Sequence, residues 1–202
     1  MILTVKNFIE KVIYLTKQIG FVFLLLFALT LPETLSPPPV QTDVKGGHYD
    51  RKDWPHWVDE DKDCQNTRAE ILIRDNLGTI KFKRKKHCNV SWGKWRCPYT
   101  GKVFTKASDM DIDHIVPLAH AHRTGGASWS RTKKRGFAND PMNLLAVEDN
   151  TNQSKSDKAP DEWKPPLKSC WAQYATLWRR VKQKYDLSIN VEEEKHLRLM
   201  EK

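Results

Sequence analysis

The stretch Asp111-Ile112-Asp113-His114-Ile115-Val116-Pro117 sets two reactive side-chain types next to each other. Met110, Ile112, Ile115 and Val116 are β-forming apolar residues, with Asp109, Asp111 and Asp113 between them. That alternation predicts a strand with one face buried. Pro117 has no N–H to donate, so it stops the ladder just beyond His114. Carboxylate oxygen suits a hard cation such as Mg²⁺, and neutral imidazole suits proton abstraction near pH 7. Taken alone, such a pair is as compatible with a structural role as with a catalytic one.

A second cluster follows, at Asn139-Asp140-Pro141-Met142-Asn143 and then Asn152-Gln153-Ser154-Lys155. Leu144 to Val147 predicts another short strand. Asp149 or Asn150 can cap a helix with Asn152 in its first turn, and Lys155, three residues on, shares its face. Strand, strand and helix, carrying Asp-His and Asn-x-x-Lys, resembles the HNH endonucleases of the ββα-metal (His-Me finger) class. Four further runs are similar to the secreted HNH-family nucleases of bacteria and fungi. They are Asp53-Trp54-Pro55-His56-Trp57, Asp63-Cys64-Gln65-Asn66-Thr67-Arg68, Phe137-Ala138-Asn139-Asp140 and Asp161-Glu162-Trp163-Lys164-Pro165-Pro166. The likeness extends from about Tyr49 to the C-terminus.

The resemblance implies an α+β fold, with a ββα-metal core embedded in a mainly helical single domain that has a small antiparallel sheet. It implies hydrolysis of phosphodiester bonds in nucleic acid, DNA before RNA, with little sequence specificity. Asp113 and Asn152 become ligands of one Mg²⁺ or Mn²⁺ ion per active site, and His114 the general base. Asn143 becomes the residue that steadies the loop or orients the histidine. Lys155 either contacts phosphate or holds the helix in place. The last motif position is Asn rather than His, and a neutral amide favours Mg²⁺ or Mn²⁺ over Zn²⁺. A base that must be neutral predicts activity falling below about pH 6.5.

Composition bounds the alternatives. A chain of 202 residues with net charge +9 fits one domain plus a targeting segment. Its basic balance favours polyanions, nucleic acid first. The competing reading is an exported, Trp-rich module that holds nucleic acid or another polyanion without cutting it. Lys6, Lys11 and Lys17 precede the apolar run Phe21 to Leu31, so residues 1–31 read as a signal peptide or an uncleaved anchor. Residues 32–47, with Pro37-Pro38-Pro39 and Gly46-Gly47, read as a linker. Residues 48–202 are the expected domain: secreted or periplasmic, monomeric and without a membrane span.

The four cysteines, Cys64, Cys88, Cys97 and Cys170, form no Cys-x-x-Cys pair, which disfavours zinc and favours disulfides behind an export segment. Of three pairings, Cys64–Cys88 with Cys97–Cys170 closes one local loop and ties the C-terminal helix to the core. Helices are expected over 66–74, over 119–123 ending at Gly125-Gly126, and over 167–185. A last helix is capped by Asn190 with Glu193. Arg123 and the run containing Lys133, Lys134 and Arg135 have two readings, a grip on phosphate or a plain basic loop. Lys83 to Lys86 likewise suits either an edge strand or a nucleic-acid face.

Overall fold

The structure, a computed structural model, describes residues 47–202. The expected export segment, and the expected linker except for Gly47, lie outside the described residues. Among those described, no helix is long and apolar enough to cross a membrane.

The first helix, α1 (Thr67–Arg74), starts where Asn66 turns its side chain back onto the Ala69 amide, supplying one of the bonds that a helix start leaves open. A three-stranded antiparallel sheet follows, in the order β1 (Lys81–Phe82), β2 (Val90–Arg96), β3 (Val103–Lys106). β2 and β3 form a hairpin. The basic run Lys83 to Lys86 is not a strand and leaves β1 only two residues long. Next comes β4 (Met110–His114), then α2 (Leu118–Arg123) and α3 (Arg131–Ala138). β5 (Leu144–Glu148) pairs antiparallel with β4, Asp113 opposite Leu145 and His114 opposite Leu144. It runs directly into α4 (Asp149–Lys155), and α5 (Trp171–Tyr185) and α6 (Val191–Met200) complete the domain. The class is α+β, as expected.

α3 corrects the loop reading of the basic run. Ser130 caps it through the Lys133 amide, and Phe137 and Ala138 bury its last turn. With apolar residues only at that end, the sequence carries too little helical periodicity to show it.

Two apolar clusters flank the β4–β5 pair. The larger packs Trp54, Tyr99, Phe137, Tyr174 and Trp178 with Val116, Val147 and Leu197, and the smaller packs Ile71, Leu72, Trp95, Met110 and Ile112. The predicted capping box at Asn190 and Glu193 forms. Glu193 does more than cap, because it is buried together with Lys182, whose ammonium sits 3.0 Å away. The apolar spacing of the 167–185 helix, Trp171, Tyr174, Trp178 and Val181, puts Lys182 on the solvent face. It bonds the Ser188 carbonyl and the Glu193 carboxylate instead, which satisfies a charge that burial would otherwise penalise. Burial alone would raise the Glu193 pKa, but bonding to His120 and the Lys182 charge hold it down at about 2.

Cys64 and Cys88 form the expected local disulfide. The second expected bridge is absent: Cys97 and Cys170 are free thiols. Each has a separate backbone partner. The Glu148 amide donates to Cys97 Sγ at 3.3 Å, and the Cys170 thiol donates to the Leu167 carbonyl at 3.0 Å. Burial pushes the Cys170 thiol up to about 11, so it remains protonated at neutral pH.

Candidate active site

β4 delivers Asp111 and Asp113 to one face and His114 to the other, because strand side chains alternate. Beyond His114 the chain is pinned by Asn143. Its side-chain oxygen accepts the Val116 N–H at 2.8 Å and its amide donates to the Val116 carbonyl at 3.1 Å. The Asn143 carbonyl also accepts the Ile115 N–H at 2.8 Å. Asn143 therefore shapes the turn after the histidine and is itself fully buried.

His114 is largely covered. Its ring stacks on Trp57 at 5.5 Å between centroids with 17° between planes. Nε2 lies 2.8 Å from the Ala138 carbonyl, which can only accept, so Nε2 carries the proton and Nδ1 keeps a lone pair. Among the described residues nothing bonds Nδ1. Burial, reinforced by the nearby charges of Arg51, His56 and Lys155, drives the imidazole pKa down to about 3, against the pull of the Ala138 bond. The ring is neutral across the ordinary pH range.

The two carboxylates on the opposite face differ sharply. Asp113 is 4% exposed and both its oxygens are taken: Lys155 Nζ donates to one at 2.8 Å and the Tyr99 hydroxyl to the other at 2.6 Å. Lys155 also donates to the His114 carbonyl at 2.8 Å. Burial pushes the Asp113 carboxyl up and the Lys155 ammonium down, each opposed by the other's charge. Asp111 is 40% exposed, and it accepts the Asn152 side-chain amide at 2.8 Å, with the Arg68 guanidinium 3.5 Å from its other oxygen. Asp111, His114 and Asn152 line one open cleft of about 440 Å³ together with Tyr49, Arg51, Trp57 and Asp157.

A family description of the C-terminal domain of GmrSD restriction endonucleases matches residues 67–200. The chain belongs to this family. It is therefore a member of a nuclease family, and the match takes in β4, β5 and α4 with Asp111, Asp113, His114, Asn143, Asn152 and Lys155. A protein of Arthroderma benhamiae, described as an uncharacterized secreted protein, is 41% identical over 175 residues, which is 86% of this chain and 84% of that one. No solved structure matches.

Within this nuclease family frame, the expected site residues separate into two groups. His114, Asn143, Asn152, Lys155 and Asp113 converge around the β4–β5–α4 unit, and Asp113, although it borders the cleft, is nearly buried and has each oxygen bonded by one donor, Lys155 or Tyr99. The other expected phosphate-binding residues each have a partner within the chain, in the case of Arg123 one that lines the cleft. Arg123 pairs with Asp157 at 2.6 Å, Lys133 and Lys134 lie over Trp129 and Trp54, and Arg135 pairs with Glu60. Among the cleft residues missed from sequence are Asp111, whose two-residue offset from Asp113 was the available signal, and Arg51, which precedes the family match and carries no motif spacing; Trp57 stood in a family-like run but was given no role at the site.

Proposed function

We propose that the chain is a metal-dependent endonuclease of the HNH, or ββα-metal, kind, which hydrolyses phosphodiester bonds in nucleic acid, DNA before RNA, with little sequence specificity. One observation carries this reading. The Ala138 carbonyl holds His114 in the tautomer that leaves Nδ1 unprotonated, at the edge of a cleft shared with the Asp111 carboxylate and the Asn152 side-chain amide. The antiparallel β4–β5 pair leading directly into α4 supports the ββα-metal assignment. The secreted relative supports export through residues 1–31.

The donor set fits a hard divalent cation, with Asp111 in place of the expected Asp113. Asp111 and Asn152 already meet at 2.8 Å through groups that water can reach, and an amide rotation would turn the Asn152 oxygen outward. Asp113 is the less available carboxylate, since a cation on it would share a nearly buried group with the Lys155 ammonium 2.8 Å away. A single Mg²⁺ or Mn²⁺ ion would supply charge neutralisation at the phosphate and the leaving oxygen. His114 Nδ1 takes the proton from the attacking water, and Trp57 keeps the ring plane fixed while it does so. Asn143 holds the turn behind the histidine, and Lys155 ties α4 to the end of β4 rather than reaching substrate.

The test is cleavage of plasmid, linear and single-stranded DNA and of RNA by the purified chain, with Mg²⁺ and then with EDTA. His114→Ala is expected to lower the rate by two to four orders of magnitude, roughly what a general base contributes, with binding intact. A protein that binds these polymers and never cuts them, or a His114→Ala variant as active as the parent, refutes the proposal. The former result would establish the non-catalytic polyanion module instead.

A further inference from the structure

The cleft is acidic where its substrate is anionic. Asp111, Asp113 and Asp157 line it, and a phosphodiester cannot approach them without a compensating cation from the protein. All three have a basic partner outside the lining, Asp113 in Lys155, Asp157 in Arg123 and Asp111, at the longer distance of 3.5 Å, in Arg68. Among the described residues that line the cleft, Arg51 is the one Lys or Arg side chain.

Arg51 has the features of a group kept available. It is exposed and among the described residues pairs with no carboxylate; its NH2 donates to His56 Nε2 at 3.3 Å, and its charge acts on the nearby Tyr49 hydroxyl. His56 accepts that bond because its Nδ1–H is committed to the Trp54 carbonyl at 2.8 Å. These are weak, uncharged contacts that orient a guanidinium without discharging it. The turn beneath is rigid. Asp50 caps the short 3₁₀ segment Arg51–Asp53, and Trp54 directly after it is fully buried among Tyr49, His122, Trp129 and Phe137. His122 also holds the strand-like entry through the Gly47 carbonyl at 2.7 Å.

Resting on the nuclease reading, we infer that Arg51 is the phosphate-binding residue of this site: its guanidinium grips a phosphate oxygen pair of the nucleic-acid backbone beside His114 and Asp111. A planar fork of N–H donors matches two phosphate oxygens, which a lysine at the same place would meet only as a point charge. The segment Tyr49 to Trp57, lying ahead of the family match at 67–200, thereby contributes substrate contacts as well as packing.

The experiment uses the full chain carrying His114→Ala, so that substrate is bound but not cut, and a short fluorescein-labelled DNA duplex in Mg²⁺, followed by anisotropy. Arg51→Gln is expected to weaken binding roughly tenfold or more, as loss of a charge-assisted bidentate contact should. It should also lower the slope of log affinity against log salt by about one phosphate contact. Arg51→Lys should restore part of the affinity and most of the slope. Lys52→Ala, which removes an equal charge one residue away and outside the cleft lining, is the control and should change both little. Thermal melts of each variant separate lost binding from lost folding. If Arg51→Gln matches Lys52→Ala in affinity and slope, Arg51 is not the phosphate contact. If the parent chain with His114 intact cuts nothing, the nuclease reading itself is what failed, whatever Arg51 does in the binding assay.

Discussion

Asp111 with Asn152 and Asp113 with Lys155 join the same strand to the same helix, yet one pair is open and the other shut. Along β4 the two acids are two residues apart, about 6.6 Å. Along α4 their partners are three apart, about 4.5 Å, nearly one turn. The helix follows the strand closely enough for both contacts to form in register. What separates them is depth. Tyr99 and the apolar cluster around Trp178 close over the inner pair, while the outer pair borders the cleft. The same chemistry, a carboxylate meeting a nitrogen donor, is structural in one place and available to a ligand in the other. Solvent access decides which.

The largest expected effect lies in the shut pair. Lys155→Met or Asp113→Ala strands a buried charge and should cost about 3–5 kcal/mol. Removing both, as Asp113→Leu with Lys155→Met, should recover much of that loss. Asp111→Ala, at a half-exposed position, should cost no more than about 1 kcal/mol. Urea denaturation of the four proteins measures this. Equal losses from Asp111→Ala and Asp113→Ala would erase the distinction between the pairs.

The next effect sharpens the comparison from the open side. A divalent cation that binds only the folded chain stabilises it by about 2.7 kcal/mol at a hundred times its dissociation constant. Asp111→Ala and Asn152→Ala should lose the Mn²⁺-dependent rise in Tm, whereas Asp113→Asn should keep it on a lowered baseline. The reverse outcome, with the rise lost in Asp113→Asn and kept in Asp111→Ala, would return the ligand role to Asp113.

The sequence carried this unit well and the site within it unevenly. β4, β5 and α4 were legible because alternation, Pro117 and the Asn-x-x-Lys spacing are local signals. The capping box at Asn190 and Glu193 was legible for the same reason. Which of two aspartates on one strand face stays wet is not local. It depends on Tyr99, far back in the chain, and on α5 packing over Asp113's side of the sheet. Lys182 was misplaced on the solvent side because its partner, Glu193, comes from the next helix. Arg51 and Trp57 escaped for a related reason, since a turn anchored by buried Trp54 has no periodicity to read. The Cys97 and Cys170 thiols, paired on topological grounds, instead satisfy neighbouring backbone groups.

The smallest effect per pH unit concerns His114, which belongs to the open side but is itself covered. Its pKa is depressed to about 3 in the fold, against about 6.5 in an unfolded chain. Between those values the unfolded chain binds the proton and the folded one does not. Stability from this group is therefore fully present above about pH 6.5 and is lost as pH falls toward 3, by at most about 1.4 kcal/mol per pH unit. His114→Asn removes the titration, so its stability should fall less steeply than the parent's over that window, measured by urea denaturation in EDTA. Asp113, raised by burial, contributes a slope of opposite sign, but it is present in both proteins and cancels in the difference. Identical slopes would mean that His114 takes up its proton in the folded chain as readily as in the unfolded one. The ring would then be exposed to water in a way that its stacking on Trp57 and its bond to Ala138 exclude, and the division of this site into a covered base and an open metal edge would have to be redrawn.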